Sequence, residues 1–133
     1  MKHYLLLFLT VISLFACNND DGDNYHFSYV PVVSADVPDT FIYHETYTIN
    51  VTYELPNGCH SLYNYDYIYD EDSRIIYPIS IVNDEDACTE PLIQGEFSID
   101  VHALQTEPYI FNFWQGKNEE GEDQFLIIEV PVT

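Results

Sequence analysis

Thr46-Tyr47-Thr48-Ile49-Asn50-Val51-Thr52-Tyr53-Glu54-Leu55 alternates without a break. Tyr47, Ile49, Val51, Tyr53 and Leu55 fall on one side, and Thr48, Asn50, Thr52 and Glu54 on the other. Successive side chains of a strand point to opposite faces, so this spacing predicts a strand with one buried face. Pro56-Asn57-Gly58 closes it with turn chemistry. Tyr63, Tyr65, Tyr67 and Tyr69 repeat the period, with Asn64, Asp66 and Ile68 between them. Asp70-Glu71-Asp72-Ser73 reads as a polar turn, and Arg74 to Val82 as the second arm of a hairpin. Further on, Phe97, Ile99 and Val101 alternate with polar residues, and Pro108 precedes Tyr109 to Trp114. Leu126, Ile128, Val130 and Val132 make a last strand, and Tyr29 to Val33 an early one. After residue 17 no long stretch carries apolar residues at helical spacing.

About seven short strands with turns between them suggest an all-β sandwich over residues 27 to 133. In size and strand count it resembles an immunoglobulin-like domain of antiparallel strands. It departs from true immunoglobulin domains because Trp114 follows both remaining cysteines instead of lying between them. A small closed β-barrel is the alternative.

Of 133 residues, 23 are Asp or Glu and 3 are Lys or Arg, a net charge of -20. A phosphate backbone needs a basic surface, so nucleic-acid binding is excluded as an expectation. Docking on anionic lipid through clustered cations is disfavoured for the same reason. With 47% hydrophobic and 16% aromatic residues, the chain has the material for a core.

Residues 1 to 16 read as a signal peptide: Met1-Lys2-His3, then an apolar stretch from Tyr4 to Ala16. That stretch is shorter than the roughly 20 apolar residues of a membrane-spanning helix. Leu14-Phe15-Ala16-Cys17 resembles the lipobox of bacterial lipoproteins, with Phe15 in place of the usual small or β-branched residue. The resemblance implies a diacylglycerol thioether on Cys17, cleavage before it and acylation of the freed amine, hence membrane attachment through lipid. Asn18 to Asn24 is polar and acidic, and resembles the export signal of Bacteroidota surface lipoproteins. Residues 17 to 26 are then a lipidated tether. The implied site is the outer membrane of a Gram-negative cell, on the surface, or facing the periplasm if the acidic run is only a solvated tether. The mature chain would keep two cations, Arg74 and Lys117, against all 23 acids.

With Cys17 assigned to lipid, Cys59 and Cys88 remain. An even pair in an oxidising compartment reads as a structural disulfide.

No Gly-x-Ser-x-Gly, His-Glu-x-x-His or glycine-rich phosphate loop occurs. Neither a cofactor nor enzymatic activity is expected, and a small hydrolase is the weakest reading. Acidic runs offer oxygen ligands for a hard cation, with Asp70, Asp72, Glu119, Glu120 and Asp123 as weak calcium candidates. In a sandwich the runs at Asp70-Asp72 and Glu119-Asp123 could lie at one end, with Asp84-Glu85-Asp86 at the other. No run fits an EF-hand, and a solvated acidic surface is the competing explanation. His26, His44, His60 and His102 match no zinc pattern.

The aromatic residues carry the binding hypothesis. An exposed Tyr63-Tyr65-Tyr67-Tyr69 face would offer area and hydroxyls to a glycan or protein partner; a buried one would fill the core. Trp114, opposite Phe111 and Phe113, is either an outward anchor or a ring packed under a loop. The functional expectation is a noncatalytic binding or accessory lipoprotein for an envelope protein partner or glycan. The alternative is a structural or inhibitory envelope component.

Overall fold

The computed structural model describes Gly22, Asn24 to Glu85 and Ala87 to Thr133. The signal peptide, Cys17 and most of the tether lie outside the described residues. Eight strands are present: β1 Tyr25–Tyr29, β2 Val32–Asp36, β3 Thr46–Leu55, β4 His60–Asp70, β5 Ser73–Asn83, β6 Ile93–His102, β7 Tyr109–Lys117 and β8 Asp123–Val130. They form two sheets, a β-sandwich and not a closed barrel.

The small sheet has the order β2-β3-β6. In the large sheet, β5 is central: β4 pairs with one side of it, and β1 and β7 share the other. β8 then pairs with β7 and forms the far edge. Two features differ from the sequence expectation. The early strand is two strands in different sheets, because the chain crosses at Val30-Pro31. Proline has no N–H for a ladder, which makes it a natural place to leave one sheet for the other. The second difference is direction: β5 and β7 are parallel, with Arg74 beside Phe111 and Ile76 beside Phe113. Alternation gives a strand's faces but not its direction, so the antiparallel expectation failed at this pair of strands; the isolated Phe41–Val132 bridge is parallel as well.

The core lies between the sheets. Phe41, Ile49, Val51, Ile76, Phe111, Phe113 and Val130 are fully buried. Each large apolar side chain withdrawn from water in this way contributes about 1.5–3 kcal/mol. On one flank the sandwich is laced shut by backbone: Phe41 N–H donates to Pro131 O, and Thr133 N–H to Phe41 O. On the other flank the edges of β4 and β6 stand side by side with no such lacing, and there the interior opens.

Candidate functional site

Tyr65, Tyr67 and Tyr69 stand opposite Pro78, Ile76 and Arg74 in the β4–β5 ladder. Pro78 and Ile76 are buried core positions, so these three tyrosines face inward. Because β4 is an edge strand, their rings fill only the margin of the core. Tyr65 stacks on Phe97 of β6, centroids 4.9 Å apart and planes 17° from parallel. Beyond it the flank opens into a cleft of about 580 Å³, lined among others by Tyr65, Tyr67, Tyr69, Arg74, His102 and Gln105. That volume is in the range of small-molecule sites.

Arg74 sits at the deep end of this cleft and is 7% exposed. Its guanidinium donates from Nη1 to Glu71 O and Ser73 O, and from Nη2 to Gln105 Oε1. The Gln105 amide nitrogen donates to Glu107 O and Pro108 O, which turns its oxygen toward the arginine. Two rings flank the charge: Tyr69 with its centroid 4.4 Å from Cζ, and Tyr109 at 5.1 Å. Tyr109 is fixed in turn, accepting from Leu104 N–H and donating to His102 O. Every hydrogen bond recorded from the guanidinium ends on a neutral oxygen. Among the described residues the ion pairs are His26–Asp84 and Lys117–Asp123, and neither involves Arg74. Burial pushes the Tyr67 hydroxyl up to about 12, against the opposing pull of Arg74. At neutral pH the hydroxyl is protonated and adds no charge beside Arg74.

Sequence reading missed Arg74. Its signal was present: a lone arginine on the inward phase of a strand, beside Ile76, in a chain where carboxylates dominate. Of the four tyrosines that the alternation puts on one face, Tyr65, Tyr67 and Tyr69 share it and Tyr63 does not. A register shift between Leu62 and Asn64 interrupts the ladder at Tyr63. Tyr63, 61% exposed, instead meets Phe27 on the outer face of the large sheet, centroids 4.7 Å apart.

Trp114 also belongs to that outer face, but it is not a free anchor. Its ring packs against Tyr29 and Tyr77 at 5.9 and 6.0 Å, and it is 9% exposed. The indole Nε1–H donates to Asp123 Oδ1 at 3.0 Å, and Lys117 Nζ reaches the same oxygen at 2.9 Å. These two donors, the indole first, hold the Asp123 carboxyl below the usual carboxylate range. Tyr29 OH donates to Asp66 Oδ2 at 2.7 Å, a bond that raises its pKa, with burial adding. Gly116, at φ +95, takes the left-handed conformation at the bulge beyond Trp114.

Cys59 and Cys88 form a disulfide, closing the β3–β4 connection onto the loop after β5. His60, beside it, bonds Ser80 Oγ through Nδ1, and burial lowers its pKa with His26 adding. The acidic runs do not assemble as expected. Because β5 and β7 are parallel, the Glu119-Glu120 turn after β7 lies at the end where β5 finishes at Asn83. Asp70 and Asp72, before β5, lie at the opposite end. Among the described residues no group of three or more His, Cys, Asp or Glu could hold a metal ion. Asp123 is already engaged by Trp114 and Lys117.

No family model, no curated protein and no solved structure matches this chain.

Proposed function

We propose that this chain is a lipid-anchored envelope lipoprotein whose sandwich holds a ligand without chemically changing it, with the β4–β6 cleft as the binding site. The observation that carries this reading is the cleft itself, where tyrosine rings and a carboxylate-free arginine line a recess of about 580 Å³. Aromatic faces, hydroxyls and a fixed guanidinium are groups that hold and orient. Asp100 lies at the rim and accepts from Thr48 Oγ1 at 2.7 Å, and His102 is paired with Thr46 Oγ1 at 2.9 Å. Both are engaged in cross-strand bonds, not poised as an acid and base. The lipobox-like Leu14-Phe15-Ala16-Cys17 and the acidic run after it support an outer-membrane anchor with the sandwich outside the cell.

Crosslinking on intact cells tests the reading, followed by purification of the lipidated full chain and mass spectrometry of what travels with it. The expected result is a bound envelope glycan or protein whose recovery falls when Tyr67 and Tyr69 are both replaced by Ala in a folded protein. Undiminished recovery from that variant would move the site elsewhere. A second reading rests on the outer face, where Tyr25, Phe27 and Tyr63 leave an exposed apolar patch. A protein partner seated there would crosslink to Tyr63 and be lost with Phe27→Ala. Surface orientation is tested separately: protease added to intact cells degrades the sandwich if it faces outward and leaves it whole if it faces the periplasm.

A further inference from the structure

We infer that the β4–β6 cleft takes a carboxylate-bearing sugar, with Arg74 receiving the carboxylate and the tyrosine rings the sugar faces. The inference rests on the binding reading above and names its ligand chemistry.

In a chain with 23 carboxylates and three Lys or Arg, an arginine has every opportunity to acquire an acidic partner. Lys117 has one in Asp123. Arg74 is the more deeply buried of the two, and its recorded bonds go to two carbonyls and one amide. Burying a charge with only neutral acceptors is costly, and the missing counter-charge is the sort of group a ligand can supply. Those three bonds engage three of its five N–H groups, Tyr67 also bonds the planar fork, and none of these partners carries a charge. A carboxylate matches that fork, and such charge-assisted pairs are among the stronger hydrogen bonds.

Glu71 stands at φ +53 in the turn that delivers its carbonyl to Arg74. Tight hairpin turns such as the one between β4 and β5 use this left-handed conformation.

A sugar fits better than a bare acid because the charge lies beside rings. Tyr69 is 72% exposed although it covers Arg74, so much of its ring is open to a ligand. Tyr65 and Tyr67 continue the wall at a spacing of about 7 Å, two residues along a strand. Rings carrying hydroxyls offer apolar faces to the sugar and hydrogen bonds to its hydroxyls.

The test is titration of the lipidated full chain in detergent with D-glucuronate and D-galacturonate, against D-glucose and D-galactose. We expect at least tenfold tighter binding of a uronate than of its neutral counterpart. Arg74→Gln should abolish that preference, and Arg74→Lys should restore part of it. Should the arginine variants not fold, Tyr69→Ala, at an exposed position, should weaken uronate binding about tenfold with an unchanged melting curve. Equal binding of acid and neutral sugar would overturn the inference and leave the binding reading standing. A peptide with a free C-terminal carboxylate binding where uronates do not would likewise overturn it. Absence of every ligand, together with an empty crosslinking result, would remove both.

Discussion

The large sheet carries aromatic groups on both faces, and the two sets are finished differently. On the outer face, Tyr29, Tyr77, Trp114 and Phe125 pack ring against ring, and two of their polar tips end on carboxylates, Tyr29 on Asp66 and Trp114 on Asp123. On the inner margin, Tyr69 and Tyr109 flank a cation that ends on neutral oxygens, and Tyr65 and Tyr67 continue the wall of the cleft beside it. The first set is internally complete and stabilises the sheet. The second leaves a charge for something else to complete. The lesson is that aromatic density alone does not mark a site; the marker is whether the polar groups among the rings already have their opposite charge.

Substitution should break this symmetry most visibly at the rings themselves. Trp114→Ala should cost about 3–5 kcal/mol, the range for a buried large aromatic. Tyr69→Ala, at a mostly exposed position, should change stability by no more than about 0.5 kcal/mol. Urea unfolding of both variants checks the contrast, and equal losses would erase the distinction between the two sets.

Next in size is the disulfide. Cys59→Ser with Cys88→Ser releases a loop with a sequence separation of 29. In the chain-entropy model this lowers stability by about 3.5 kcal/mol. The bond lies at the end of the sandwich away from Arg74, so uronate affinity of the folded variant should be unaltered. Altered affinity would mean that the cleft depends on that end.

Acid should single out the outer face. Asp123 has a lower pKa folded than unfolded, so its stabilising contribution is complete above the ordinary value of about 3.9. It disappears as pH falls through the folded value. Asp123→Asn should flatten that part of the acid limb and remove the accompanying change in Trp114 fluorescence, whereas Tyr69→Phe should leave both. An unchanged acid limb in Asp123→Asn would contradict this.

Alkali should single out the inner margin, with the smallest effect. Tyr67 is raised to about 12, so its contribution is intact below an unfolded value of about 10 and is lost as pH rises between them. Tyrosinate absorbance should contain a late component that Tyr67→Phe removes. If all tyrosines of the folded protein titrate near their ordinary value, the ring is not held as described.

Much of the fold could be read from residue periodicity. The Tyr47 to Leu55 alternation gave β3 and its inward Ile49, Val51 and Leu55 correctly, because burial on one face leaves a period of two. The hairpin of β4 and β5 and the disulfide were legible for equally local reasons. Direction was not, since a parallel and an antiparallel strand share one pattern. Nor was the bulge at Tyr63, which moved one tyrosine to the other face with no glycine or proline to signal it. The site was half visible. Tyr65, Tyr67 and Tyr69 were in view as a row, but their significance depends on Arg74 and Gln105, brought together from 31 residues apart by the pairing of β5 with β7.

That same central strand sets how the protein would stand on a membrane. β1 begins at Tyr25, opposite Asn83, the last residue of β5, whereas Arg74 lies at the first turn of β5. Nine steps along the strand separate the two, about 30 Å at the rise of an extended chain. If Cys17 carries lipid, as proposed, the anchor joins the chain at the disulfide end, and the arginine end lies a strand's length from it. A ligand held at Arg74 would then be met at the end of the sandwich away from that anchor.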